Sequence, residues 1–144
     1  MNQEIIAKAN EIINASNGNK GGWEKGICTL ALIDEDGYPT ASTLSIGKSD
    51  GINWLTFVTG LASNKAKRIQ KCNKASVCMN SAEYNITLVG TVEVLTDAEI
   101  KKDTWYSGCE YHFSGVDDPN YCVIRFTAKR YNLFIGDEEV AGTL

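Results

Sequence analysis

The chain changes its hydrophobic period once, near Ile27, and that change limits the folds open to it. Upstream, Ile5, Ile6, Ala9, Ile12 and Ile13 recur at helical spacing, which predicts one amphipathic helix over about residues 3–16, ended by the run from Asn17 to Gly22. Downstream the pattern becomes short strands separated by turn residues. ICTLALID, the turn DEDG at Asp34–Gly37 and YPTASTLSIG read as a hairpin. A turn at Lys48–Gly51 leads into INWLTFVT, so three meandering strands precede the first internal helix, expected from Asn64 to about Lys71. Ala75–Asn80 and the long run Tyr84–Leu95 follow; in the latter Val89, Gly90, Val92 and Val94 suggest a buried, bent ribbon. Thr96, Asp97, Ala98 and Glu99 match a capping box in front of a second short helix. After the polar turn SGVDDPN, with Asp118 and Pro119 at its corner, YCVIRFTAKRYNLFIG reads as two strands with a break near Ala128–Arg130. Six or seven mostly antiparallel strands with short helices predict a single α+β, mainly β domain built on a barrel or strongly curved sheet.

Charge is unevenly spread along this pattern. Between Gly51 and Ala82 there is no Asp or Glu, while Lys65, Lys67, Arg68, Lys71 and Lys74 bring positive charge to a chain whose net charge is −4. A local positive field on an acidic protein suits a small anion better than nucleic acid, which needs a broader basic surface. The field sits at a strand-to-helix junction: Trp54–Val58 is apolar, Thr59 and Gly60 end the run, and Ser63, Asn64 and Lys65 open the helix. First-turn N–H groups, the positive end of the helix dipole, hydroxyls and a lysine together make a candidate phosphate cradle.

Other chemistries find little support. Five scattered cysteines, no C-x-x-C pair and one histidine, His112, argue against a metal site and for a reduced, cytoplasmic protein. No apolar run approaches a membrane span, and the N-terminus does not read as a secretory signal. No nucleophile motif surrounds His112, and neither G-x-G-x-x-G nor G-x-x-x-x-G-K-[ST] occurs.

Three motifs stand in a familiar order: GYPTASTLS from Gly37, FVTGLASNKA from Phe57 and EYNITLVGTVE from Glu83. With the C-terminal WYSGCEYHFSGVDDPNYCVIRF, they resemble the FMN-binding split barrel of the pyridoxamine 5′-phosphate oxidase superfamily, in its small general-stress-protein branch. The resemblance runs from about Cys28 to Ile135. It implies a six-stranded antiparallel split barrel over about residues 26–136, a homodimer, and FMN in clefts between protomers. By the same resemblance Thr59, Ser63 and Lys65 fall on phosphate-binding positions, with Asn64 where relatives often carry arginine. Thr43, Leu44 and Ser45 fall on the strand along the flavin ring, Phe57 and Val58 on its neighbour, and Asn85 on a position that reaches the flavin from the partner subunit. Where the oxidase proper has an arginine and a lysine this chain has Ser42 and Gly47, and the oxidase's C-terminal substrate-binding segment has no counterpart after Ile135. Pyridoxamine phosphate oxidation is therefore disfavoured, because a substrate phosphate would lose water with few partners in return. What the resemblance implies instead is an FMN-dependent oxidoreductase, a reductase drawing hydride from NADH or NADPH for a small acceptor. The alternative is a flavin-binding stress, storage or sensor protein without turnover. No acid or base is assigned, and Trp105, Tyr106, Tyr111 and His112 are candidates for a roof over the substrate space.

Overall fold

The computed structural model describes residues 2–18 and 26–144. Helix α1 is Asn2–Ala15; the strands are β1 Ile27–Ile33, β2 Pro39–Ser45, β3 Ser49–Asp50, β4 Trp54–Gly60, β5 Lys74–Asn80, β6 Tyr84–Leu95, β7 Tyr121–Ile135 and β8 Glu138–Thr143. Helix α2, Asn64–Lys71, lies between β4 and β5, and α3, Ala98–Thr104, between β6 and β7. The six strands of seven residues or more are those the sequence outlines; β3 and β8 are additions to them. All pairings are antiparallel, in the order β2-β1-β5-β6-β7-β4-β3, with β8 on the far half of β7.

This order corrects the expected meander. The strand after the first hairpin does not join it: β4 pairs with β7, and β2 lies at the opposite end of the ladder path. The turn lies later than expected too, with Gly51 at φ +52° and Asn53 N–H donating to the Asp50 carbonyl at 2.9 Å. Yet β2 and β3 are separated only by Ile46, Gly47 and Lys48, which touch both ends of the path. Ile46 N–H donates to Gly26 O at 2.9 Å, Gly47 N–H to Thr56 O at 2.7 Å, and Thr56 N–H to Lys48 O at 2.8 Å. The sheet thus curls back on itself without a ladder between β2 and β4, and is split along that seam.

Alternation along the strands fills the interior. Leu30 and Leu32 of β1, Leu55 and Phe57 of β4, Val77 and Met79 of β5, and Ile86 and Leu88 of β6 point into one core, which α1 covers with Ile5, Ala9 and Ile13. Asparagines fix α1 in place: Asn14 Oδ1 accepts from Gly51 N–H at 2.8 Å and Ser49 O–H at 2.7 Å, and Asn10 Oδ1 from Ile52 N–H at 2.9 Å. Two further expectations move. The cap of α3 is Asp97 rather than Thr96, its carboxylate accepting from Glu99 N–H at 2.8 Å. The expected break at Ala128–Arg130 is a bulge within one continuous strand: Gly90 faces Ala128 and Val89 faces Arg130, so Lys129 is the extra residue. It resets which side chains point inward, from Ile124, Phe126 and Ala128 to Tyr131, Leu133 and Ile135.

Gly90 makes this bulge possible, since a β-carbon there would meet Thr127 O at 1.9 Å and Ala128 Cα at 2.9 Å. Gly90→Ala is expected to cost at least about 1–3 kcal/mol, the range for overpacked interiors. Urea unfolding followed by circular dichroism checks this, and an unchanged midpoint would show that β7 yields to the added methyl.

Candidate functional site

The seam between β2 and β4 opens into a cavity of about 590 Å³. Leu44 and Ser45 line it from β2 and Val58 from β4; Tyr106, Gly108, Cys109, Tyr111 and His112 roof it. The roof follows α3, where Gly108 at φ +114° turns the chain into the short 3-10 turn Cys109–Tyr111. A second apolar cluster holds the roof on the outer face of β7: Tyr106, Cys109 and Phe113 pack on Tyr121 and Val123, with Val58 and Leu95 beside them. Phe113 and Trp105 lie against the Tyr121 ring, centroids 5.1 Å and 5.3 Å away. Trp105 is therefore a packing residue, whereas Tyr111, 83% exposed, stands at the cavity mouth.

The lining carries no Asp, Glu, Lys or Arg. Burial pushes the Tyr106 phenol up to about 12, the neighbouring Cys109 adding to the rise and a side-chain hydrogen bond with Ser45 opposing it. Burial also raises the Cys109 thiol. Both groups keep their protons at neutral pH, so neither is a base there.

Immediately along β4 from Val58 comes the junction singled out by charge. Thr59 O–H donates to Ser63 Oγ at 3.0 Å, and the same oxygen caps α2 by accepting from Ala66 N–H at 3.2 Å. The proton of the Ser63 hydroxyl is left to donate outward, beside the N–H groups of Asn64 and Lys65, which lack partners in the first turn. Lys65 is half-buried and, among the described residues, makes no hydrogen bond or ion pair. Arg68 instead faces Glu35 at 3.2 Å, so its charge is partly neutralised.

The expected site residues thus divide. Leu44, Ser45 and Val58 share the cavity; Thr59, Ser63, Asn64 and Lys65 share the junction. Phe57 is fully buried in the core, so only its backbone faces the seam strands and its side chain offers a ligand nothing. Thr43 points to the opposite face of β2 from Leu44, in one cross-strand row with Thr29, Cys78 and Thr87. Asn85 lies on that outer face too, its Oδ1 3.5 Å from Cys78 Sγ. Gly47 has a structural cause: a β-carbon would lie 2.8 Å from Thr104 Cγ2 and 3.1 Å from Thr56 Oγ1, which closes the position to a lysine unless α3 moves. Sequence reading did not single out Gly108, Cys109 or Asn120. The last holds the loop before α2, its carbonyl accepting from Leu61 N–H at 2.7 Å and its Oδ1 from Ala62 N–H at 3.2 Å.

Among the described residues no three His, Cys, Asp or Glu side chains are placed to hold a metal ion, and no helix is long and apolar enough to cross a membrane. Three solved structures show the same fold. A protein related to general stress protein 26 of B. subtilis, from Clostridium acetobutylicum, is 25% identical with a TM-score of 0.82, the match covering 100% of this chain and 97% of that one. A heme binding protein from Mycobacterium smegmatis has 20% identity and a TM-score of 0.70 over 96% of this chain and 57% of its own. A pyridoxamine 5′-phosphate oxidase-related, FMN binding protein from Nostoc punctiforme has 16% identity and a TM-score of 0.59, covering 99% and 93% of the two chains. No curated protein matches this sequence. The model of the pyridoxamine 5′-phosphate oxidase family matches residues 23–134, spanning the seam, the junction before α2 and the roof, and the chain belongs to that family.

Proposed function

We propose that this protein binds FMN, with the ring in the cavity between β2 and β4 and the phosphate at the junction before α2. One observation carries the reading: a mostly apolar cavity and an all-donor anion cradle are consecutive along one strand, from Val58 to Thr59 and on to Ser63. The donors at the cradle are the Ser63 hydroxyl, the N–H groups of Asn64 and Lys65, and the Lys65 ammonium, a set suited to a phosphate. Leu44 and Val58 supply apolar walls, and Tyr111 and His112 form a rim suited to a planar molecule. Bound there, FMN supplies two-electron redox chemistry, and the chain's part is to bind, orient and shield it. We read the activity as an FMN-dependent oxidoreductase that takes hydride from NADH or NADPH and reduces a small acceptor. The uncharged lining also supports a second reading, a flavin-binding stress, storage or sensor protein without turnover, because the wall holds no base at neutral pH.

A second copy of the chain is the proposed partner. Across β2, β1, β5 and β6 the outward rows Thr43-Thr29-Cys78-Thr87 and Ala41-Ala31-Ser76-Val89 contain only small or medium uncharged side chains, and Asn85 lies beside them. A broad face without charges is unusual for a surface meant to meet water, and a two-fold pairing would cover it and bring Asn85 into an interface.

The freshly purified protein is expected to be yellow and to release FMN on denaturation; a Soret band would favour haem, and a colourless protein that takes up no added FMN would overturn the reading. Lys65→Ala is expected to weaken FMN binding by about 1–3 kcal/mol, the range for a charge-assisted hydrogen bond, measured by flavin fluorescence quenching. Bleaching of bound flavin by NADH or NADPH without oxygen supports the reductase; flavin that stays oxidised supports the second reading. Sedimentation equilibrium is expected to give a dimer, and a monomer with FMN bound would refute the pairing.

A further inference from the structure

We infer that Asn120 is a positioning residue for the phosphate end of the site; the inference rests on the FMN reading above. Ser63 can present its hydroxyl outward only if Leu61 and Ala62 hold it at one place relative to β4. Two of the loop's N–H groups end on Asn120: Leu61 N–H donates to its carbonyl at 2.7 Å and Ala62 N–H to its Oδ1 at 3.2 Å. The third, Ser63 N–H, donates to Gly60 O at 3.0 Å. Gly60 belongs to the same arrangement, since a β-carbon there would lie 2.7 Å from Asn120 Nδ2 and push the amide away.

Asn120 is in turn held from behind. Its N–H donates to Asp118 Oδ1 at 2.9 Å, while Asp118 Oδ2 accepts from Ser114 N–H at 2.9 Å and the Asp118 carbonyl from Lys101 Nζ at 3.1 Å. Lys101 is buried, 5.2 Å from the centre of the Tyr121 ring, and its own carbonyl accepts from the Tyr121 hydroxyl at 2.7 Å. The support runs from α3 through Asp118 to Asn120 and only then to the loop. A side chain so placed touches no ligand but fixes where the donors converge.

Asn120→Ala removes Oδ1 and keeps the backbone bond. FMN affinity is expected to fall about fivefold, the worth of one hydrogen bond, while affinity for riboflavin, which has no phosphate, stays within about twofold by the same scale. Gly60→Ala is expected to give the same FMN-selective loss, with both variants checked for an unchanged circular dichroism spectrum. Equal losses for FMN and riboflavin, or no loss for either, would overturn the positioning role while leaving the FMN reading intact. A wild-type protein that binds neither flavin would overturn the FMN reading and this inference with it.

Discussion

Thr56 is the residue on which the closure of the fold depends. It is buried in the middle of β4, and both its backbone groups leave the β4–β7 ladder side to meet the segment between β2 and β3: its N–H donates to Lys48 O and its carbonyl accepts from Gly47 N–H. Its hydroxyl adds another contact, accepting from Lys48 N–H at 2.8 Å. A valine of equal shape would bury the methyls but leave the Lys48 N–H without this partner. The two ends of the ladder path meet here through a clasp of three residues rather than a strand pair. Beyond the clasp, β2 and β4 diverge, and the cavity is the space they leave.

The site follows from that divergence. Leu44 and Val58 face each other across a gap that no ladder fills, and the roof, anchored by Tyr121 and Val123 on the outer face of β7, covers it. The first half of β7 is therefore buried on both faces, core beneath and roof above. The anion cradle needs no separate scaffold, because β4 ends where α2 begins and the Thr59–Ser63 pair spans the join. Cavity and cradle are two consequences of one strand leaving its neighbour.

Local features were legible in the sequence and long-range ones were not. The bounds of α2 and β6 follow from caps and periodicity, and the hairpin at Asp34–Gly37 from an Asp whose carboxylate accepts from the N–H groups of Asp36 and Tyr38, with Gly37 at φ +85°. Which strand pairs with β4 depends on contacts some 65 residues apart, as between Phe57 and Ile124, and no local signal reports them. The bulge reads as a strand break because an extra residue interrupts alternation just as a turn does. Ser63 and Lys65 announce themselves by charge and capping; Asn120 looks like an ordinary turn residue, its use visible only when Leu61 and Ala62 are beside it. Phe57 shows the opposite case, a position next to the site whose side chain belongs to the core.

The bulge at Lys129 also bears on how this sequence can vary. Six residues of β7 and all of β8 lie downstream of it, with Leu133 and Val140 turned inward in the reset phase. Loss of the single codon for Lys129 would leave the composition almost unchanged, yet turn that whole C-terminal ribbon over, presenting Asn132 and Phe134 to the core and Leu133 to water. Length at this point is therefore under tighter constraint than identity: many side chains can stand at 129, but one must.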